Sequence, residues 1–177
     1  RSMNRNSLQR LALMSVLTAL GVVLAALIHF PLFPAVPFLE YDPADVPVLL
    51  CTFLFGPGWG IGITFAVSLF QGLTVSASGG WYGIVMHILA TSAYAAVAGI
   101  FYHRHRTLKG AVGALLLGML AMVLVMIPAN LLITPLFTGQ SVESVLGWIL
   151  LFNALKAGLN GLVTFFIYKP LKRIFKL

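Results

Sequence analysis

The last hydrophobic segment of the chain carries a lysine and two asparagines among apolar residues. Asn153, Lys156 and Asn160 are spaced i, i+3 and i+7, so on a helix they lie within roughly 60° of one another on one face. An ammonium group donates hydrogen bonds, whereas an amide both donates and accepts them. This face therefore suits a small ligand that alternates carbonyl and N–H groups, or one that bears a negative charge.

Lys156 is predicted near the middle of a bilayer, where a lysine costs about 2.5–3.5 kcal/mol to insert. No carboxylate is predicted at membrane depth, so we expect no acidic partner for Lys156 there. Asn130, on the preceding segment, is the other asparagine predicted at that depth. Two interpretations stay open: the amides bridge helices while Lys156 reaches the surface or a backbone carbonyl, or the four residues line a polar cavity that opens outward. An unpaired charge favours the cavity.

The composition identifies an integral membrane protein. Hydrophobic residues make up 60% of the 177 residues and charged residues 8%, and the mean hydropathy is +1.00. A soluble core of this size cannot bury so much apolar surface. The net charge of +7 comes from short basic clusters between apolar runs, which argues against a nucleic-acid-binding surface. The single cysteine, Cys51, excludes a disulfide framework within the chain.

Apolar runs and turn residues predict an all-α bundle of six transmembrane helices, forming one domain over residues 1–177. A span needs roughly twenty residues. The Gly-Pro-Gly turn within 56–60 divides a run that is too long for one span, so the second helix is short, and Pro128 is expected to kink the fifth. The predicted helices are 8–28, two within 46–73, 81–102, 108–136 and 142–168. The proline-rich stretch HFPLFPAVPFLEYDPADVP, which holds three of the four acids, is expected to form an ordered loop at a membrane surface, and residues 76–80 a loop of small residues. Arg1 and Ser2, ahead of Met3, resemble a cloning remnant, and no cleavable signal peptide is evident.

The distribution of charge orients this bundle. Six spans leave both termini on one side, and every Lys and Arg except Lys156 falls on that side. The acidic residues Glu40, Asp42, Asp45 and Glu143 all fall on the other side. The positive-inside rule therefore predicts cytoplasmic termini in a multi-pass protein of the cell membrane.

The sequence offers little support for catalysis. No carboxylate pair is predicted at membrane depth, and His103 and His105 lie in a basic loop without a neighbouring acid or cysteine. His29 and His87 are predicted near the outer face, where packing or hydrogen bonding is the simpler role. No P-loop motif occurs, so any nucleotide that energises transport is hydrolysed by another subunit. We predict neither an enzyme nor a bound cofactor or metal.

Two further groups of residues are candidates for contacts. Aromatic residues of the outer side, among them Tyr41 and Trp81, could form a flat wall for a ligand, or an interfacial belt. Small residues recur at four-residue spacing in several helices, which lets backbones approach closely. Ser15 and Ala19 on the first helix are the best candidates for a partner surface, because a first helix is often peripheral.

These features together resemble a known family. The short second helix, the stretch YDPADVPVLL, the turn FGPGWG, Asn130 and the NALK run at 153–156 are similar to the substrate-binding S components of energy-coupling factor (ECF) vitamin transporters. Within that family the riboflavin-binding group is most similar, and the resemblance covers nearly the whole chain. It implies capture of riboflavin, or of its phosphorylated form FMN, from outside the cell. It also implies a transmembrane coupling subunit and two cytoplasmic ATPases as partners.

The resemblance also implies roles for individual residues. Asn130, Asn153 and Lys156 match family residues that contact the flavin ring system. Ser15 and Ala19 match the small-residue motif of helix one that packs on the coupling subunit. His87 stands where the family pattern has an asparagine. Asn160 is a candidate from helical spacing alone.

Other functions remain as alternatives. An S component for another vitamin, such as pantothenate, would share the fold. A stand-alone secondary transporter or channel would require an internal repeat or intramembrane acids, and neither is visible in the sequence. A membrane-embedded enzyme would require a nucleophile or metal cluster that the sequence does not supply.

Overall fold

A computed structural model describes residues 5–74 and 79–175, and the chain in these ranges is almost entirely helical. The predicted loop at 76–80 lies largely outside them. Six helices of more than ten residues occur in the described ranges, which confirms the predicted bundle. The elements are α1 Arg5–Leu27, α2 Asp45–Phe55, α3 Pro57–Leu73, α4 Gly80–Arg104, α5 Leu108–Leu132, α6 Thr134–Thr138 and α7 Leu146–Phe175, with strands β1 Phe30–Pro31 and β2 Glu40–Tyr41.

Helix length separates the six long helices into two groups. Four segments of the described chain are long and apolar enough to cross a bilayer, and they have 22, 25, 31 and 32 residues. These segments correspond to α1, to α4, to α5 together with α6, and to α7. In contrast, α2 has 11 residues and α3 has 17. At about 1.5 Å per residue α2 covers roughly half of a hydrocarbon core, so its first residues lie well below the outer surface.

The break between α2 and α3 lies where the turn predicts it. Gly56 has φ +104°, a backbone conformation that a residue with a Cβ rarely adopts. Its N–H donates to the carbonyl of Thr52 and closes α2. Pro57 follows in the first turn of α3, where its missing N–H leaves no helical hydrogen bond unmade.

The last two predicted helices have different ends in the structure. The fifth was expected to run to residue 136, but α5 ends at Leu132 and the short α6 follows, with Pro135 in its first turn. Pro128 lies inside α5. The sixth was expected to end at residue 168, but α7 continues through Pro170 to Phe175.

Helix packing places α2 inside the bundle and α1 at its edge. The short α2 contacts α1, α3, α4 and α7, whereas α1 contacts α2 and α3. Tyr94 of α4 illustrates the close packing of the long helices, because its hydroxyl donates to the carbonyl of Ala157 on α7 at 3.0 Å. A Cβ at Gly118 or Gly161 would come within 2.6 Å of the Tyr94 side chain. Glycine at these two positions is therefore a packing requirement.

The two ends of the bundle differ in charge as the sequence predicts. Lys172 near the end of α7 donates to the carbonyl of Arg106, so the α4–α5 loop and the end of α7 meet. The strand pair β1–β2 lies in the opposite loop, where Phe30 pairs with Tyr41 and Pro31 with Glu40. The predicted proline-rich loop is thus ordered by a small antiparallel hairpin.

Candidate ligand-binding site

The segment 28–44, which joins α1 to α2 and contains the strands β1 and β2, is called the hairpin loop. A cavity of about 340 Å³ lies between this loop and helices α3, α4, α5 and α7. This volume falls at the lower end of the range for small-molecule pockets. The hairpin loop contributes Phe38, Glu40 and Asp42 to its lining, and α7 contributes Asn153 and Lys156. The cavity opens on the side of the hairpin, away from the basic end of the bundle. The sequence predicts an outward cavity lined by Asn130, Asn153, Lys156 and Asn160; a cavity is present, and two of these four residues, Asn153 and Lys156, line it.

Lys156 has an acidic partner, so the expectation of an unpaired lysine is wrong. Its Nζ donates to Oδ2 of Asp42 at 3.0 Å, and both side chains are largely buried. Lys156 lies ten residues into α7, roughly 15 Å along its axis. The loop reaches this depth because α2 is short and begins low in the bundle. Asp42 was assigned to an outer loop from its neighbouring prolines, and the fold carries that loop inward.

Asp45 is a second buried carboxylate, so the prediction of no carboxylate at membrane depth is also wrong. Its side chain is fully buried in the first turn of α2, where the helix dipole favours a negative charge. Thr91 of α4 donates to its Oδ1 at 2.7 Å, and Asn160 of α7 donates to its Oδ2 at 3.3 Å. Nε2 of His87 lies 3.3 Å from Oδ1. The carboxylate thus joins α2 to α4 and α7.

Asn160 connects the hairpin loop to α7 from behind the cavity. Its Nδ2 donates to the backbone carbonyl of Asp42 at 3.0 Å, and its Oδ1 accepts from the hydroxyl of Tyr41 at 2.9 Å. Burial raises the pKa of Tyr41, and the Asp42 carboxylate adds to that rise. The phenol therefore stays protonated and remains a donor. Asn160 and Tyr41 hold the loop that forms one wall, without lining the cavity.

Asn130 also lies behind the wall. Its Nδ2 donates to the carbonyl of Met126 at 2.8 Å, and its Oδ1 accepts from the hydroxyl of Thr134 at 3.0 Å. The same threonine hydroxyl lies 2.9 Å from the hydroxyl of Tyr82. Met126 and Tyr82 line the cavity, so Asn130 fixes two wall residues across the α5–α6 junction.

Polar and flat apolar groups occupy different parts of the lining. Asn153 is 3% exposed and donates to the carbonyl of Ile149, which leaves its Oδ1 available as an acceptor. The apolar wall includes Met86, Met122 and Phe152. Tyr82 stacks on Phe137 with ring centroids 4.4 Å apart and planes 6° apart. A flat ligand with polar edges fits this division.

Three of the seven predicted binding residues, Asn153, Lys156 and His87, lie in the cavity wall. Tyr41, Asn130 and Asn160 lie one layer behind it, and Trp81 is 51% exposed and packs edge-on against Tyr82. Several cavity-lining residues were not predicted from the sequence, including Asp42, Ser68 and Gln71, whereas Tyr82 is one of the outer-side aromatic residues expected to form a flat wall. The burial of Asp42 and Asp45 could have been predicted from the shortness of α2, because an 11-residue helix that ends at the inner turn cannot keep its first turn at the outer surface.

The predicted partner surface is accessible. Met14, Leu17, Gly21 and Ala25 of α1 are buried against the bundle. Ser15 and Ala19 lie on the other face and are exposed. The hydroxyl of Ser15 is bonded to the carbonyl of Leu11 within its own helix, as is common for serine in transmembrane helices. Ser15 and Ala19 therefore do not pack inside the bundle, and their contact with a partner subunit stays a prediction.

The fold and the cavity define a multi-pass membrane protein with a partly enclosed site between its helices and the outer loop. The family model for the ECF transporter, substrate-specific component, matches residues 9–168. The chain belongs to this family. A solved structure described as the S component of a bacterial ECF transporter superposes with a TM-score of 0.86 at 28% identity, covering 96% of this chain and 98% of that one.

Several relatives carry names of riboflavin transporters. Riboflavin transporter RibU of Staphylococcus aureus (strain TCH60) is 27% identical over 186 residues, covering 99% of this chain and 97% of that protein. RibU of Lactococcus lactis subsp. cremoris (strain NZ9000) is 29% identical over 124 residues, which span 69% of this chain and 60% of the Lactococcus protein. Riboflavin transporter FmnP of Bacillus subtilis (strain 168) is 29% identical over 133 residues, 73% of this chain and 69% of the relative.

Proposed function

We propose that this chain captures riboflavin from outside the cell as the substrate-specific subunit of an ECF transporter. The observation that carries the proposal is the cavity, which combines a flat apolar wall with Asn153, Lys156 and Asp42 at one end. The names of the Staphylococcus, Lactococcus and Bacillus relatives support the same ligand. Binding, and not chemistry, is the role that this arrangement serves.

The isoalloxazine ring of riboflavin has an apolar face and an edge of carbonyl and N–H groups. The face would lie against Tyr82, Met86 and Met122. The polar edge would meet Asn153, whose amide both donates and accepts, and Lys156, whose ammonium retains donors beyond the one bonded to Asp42. The ligand would therefore complete the hydrogen bonding of a buried polar cluster.

The partners follow from the family and from the surface of α1. The family predicts a transmembrane coupling subunit and two cytoplasmic ATPases, and Ser15 and Ala19 are the proposed contact with the coupling subunit. Small residues on an exposed helical face allow another helix to approach closely within a membrane. No riboflavin movement across the membrane is expected from this chain without those partners.

Equilibrium titration of the purified protein with a panel of vitamins tests the ligand. The fluorescence of riboflavin should be quenched when the protein binds it, with one site per chain. Protein purified from riboflavin-containing medium should be yellow. FMN and pantothenate in the same panel test the two alternative ligands. A folded protein that leaves flavin fluorescence unchanged would contradict the proposal.

A stand-alone secondary transporter is the second candidate, because Asp42 and Asp45 are intramembrane acids of the kind that ion-coupled carriers use. Both carboxylates are hydrogen-bonded to other side chains of this chain, which favours a structural role. Uptake into proteoliposomes distinguishes the two functions. The S-component proposal predicts riboflavin binding without accumulation until the coupling subunit, the ATPases and ATP are present. Ion-driven accumulation by the chain alone would support the carrier.

A further inference from the structure

Two carboxylates and one lysine are buried together beside the cavity, and their charges do not balance. Asp42 is 4% exposed, Asp45 is 0% exposed and Lys156 is 8% exposed. With both carboxylates ionised, the three side chains hold one uncompensated negative charge at membrane depth. Such a charge is strongly unfavourable where little water is available to solvate it. A second cation beside the cluster would restore neutrality.

His87 of α4 is the ionisable side chain in contact with Asp45. Nε2 of His87 lies 3.3 Å from Oδ1 of Asp45, while Nδ1 lies within hydrogen-bond distance of Oγ of Ser68. An oxygen atom thus faces each ring nitrogen. Nε2 must carry a proton to donate to the carboxylate, whereas the serine hydroxyl can either donate to Nδ1 or accept from it. The His87 side chain is 10% exposed, so water contributes little to either bond.

The surroundings of His87 contain few other charges. Asp45 faces it from α2, and Asp42 and Lys156 lie across the cavity from it. Glu40 and His29 lie in the lining contributed by the hairpin loop and its approach. The residues that α3 and α5 contribute to the lining carry no charge. Among the cavity-lining residues, His87 is the basic side chain placed to compensate the negative charge of Asp45.

We propose that His87, as an imidazolium, is the second cation of this cluster and a positioning residue for the binding site. The inference rests on the proposed function of the cavity. Asp45 accepts from Asn160, and Asn160 holds the backbone of Asp42 and the hydroxyl of Tyr41. The charge on His87 thereby stabilises the loop that forms one wall. Loss of that charge should therefore weaken riboflavin capture.

Two variants test this inference: His87→Gln and the double variant D45N/H87Q. H87Q leaves Asp45 without its cation, whereas the double variant removes both members of the pair and restores neutrality. We expect H87Q to weaken riboflavin binding about tenfold at acidic pH, and D45N/H87Q to recover most of that loss. The measurements are riboflavin affinity by fluorescence quenching and the melting temperature of the ligand-free protein, each between about pH 5.5 and 8.5, where histidine ordinarily titrates.

The wild-type protein should lose affinity and melting temperature as the pH rises through this range, and D45N/H87Q should lose neither. His105→Gln, at an exposed histidine of the cytoplasmic loop, is the matched control and should keep the wild-type profile. An H87Q profile that parallels wild type, or a double variant no more stable than H87Q, would overturn the inference. If H87Q yields no folded protein, recovery of folded D45N/H87Q supports the inference and continued failure overturns it. If riboflavin binds to none of the proteins, the proposed function fails, while the ligand-free melting data still decide the charge on His87.

Discussion

The outer and inner halves of the bundle are built in different ways. In the inner half, Phe53 packs against Tyr102 and Tyr168 with centroid distances of 4.6 and 5.1 Å, and the two tyrosine hydroxyls bond to each other. There Gly99 lets α4 lie directly against Pro57 at the start of α3. The outer half instead contains a cavity and a network of buried charges around Lys156.

This difference separates stability from ligand capture. Close apolar packing in the inner half needs no ligand to be complete, and the two tyrosine hydroxyls buried there pair with each other. The polar groups of the outer half surround a cavity, and the loop that carries Asp42 is hydrogen-bonded to α7 through Asn160 and Lys156. We therefore expect ligand binding to depend on the hairpin loop and the outer helix ends more than on the inner half.

Replacing Lys156 should have the largest effect. Lys156→Met removes a proposed ligand contact and leaves Asp42 buried without a cation, so we expect riboflavin affinity to fall at least about a hundredfold and unfolding free energy to fall by about 3–5 kcal/mol. Fluorescence titration and thermal unfolding in detergent measure the two effects.

The double variant D42N/K156M separates the two roles of Lys156. It should recover most of the stability because no charge is left unpaired, but it should not recover affinity. Recovery of affinity together with stability would show that Lys156 only holds the loop, and the ligand contact assigned to it would be wrong.

A bulky residue on the exposed face of α1 should abolish assembly without affecting capture. Ala19→Trp fills the small-residue surface proposed to contact the coupling subunit, so copurification with that subunit should fall at least about tenfold while riboflavin affinity is unchanged. Leu20→Trp, at a neighbouring exposed position that is already large, is the matched control. Unchanged copurification of A19W would remove α1 from the interface.

Crowding the inner half should reduce stability alone. A Cβ at Gly99 would lie 2.7 Å from both Pro57 and Thr52, so Gly99→Ala should lower the unfolding free energy by about 1–2 kcal/mol, or a few degrees of melting temperature. Gly62→Ala has open space around its Cβ and should be neutral or slightly stabilising. Weaker riboflavin binding by folded G99A would show that the two halves are coupled.

The smallest effect is expected from the loop tether. Tyr41→Phe removes the hydroxyl that donates to Asn160, so riboflavin should dissociate about five times faster while the ligand-free protein melts almost as before. Tyr168→Phe removes a tyrosine hydroxyl bond in the inner half and should leave the dissociation rate unchanged. Stopped-flow release measurements compare the two; equal rates in Y41F and wild type would argue against the loop as the moving wall.

The helices could be predicted from the sequence because each follows from local signals. Apolar length, the Gly56–Pro57 turn and the basic loops place the spans and their common orientation. The helix ends near Pro135 and Pro170 were not predicted correctly, because a proline can either begin a new helix or lie within a continuing one. Packing against neighbouring helices decides which of the two occurs.

The binding face could be predicted only in part. Asn153 and Lys156 were found because polar residues in an apolar helix are conspicuous, whereas the partner of Lys156 lies 114 residues away in a proline-rich loop. Pairing over such a distance depends on tertiary packing around the short α2. Polar spacing also could not distinguish Asn153, in the cavity wall, from Asn160, which holds the loop from behind.

A crystal structure of the protein with riboflavin tests the central claim most directly. We predict one flavin in the cavity, with its ring edge at Asn153 and Lys156 and with Lys156 still paired to Asp42. A flavin bound elsewhere on the bundle, or a Lys156 amine extended to the membrane surface beside a closed cavity, would contradict the account.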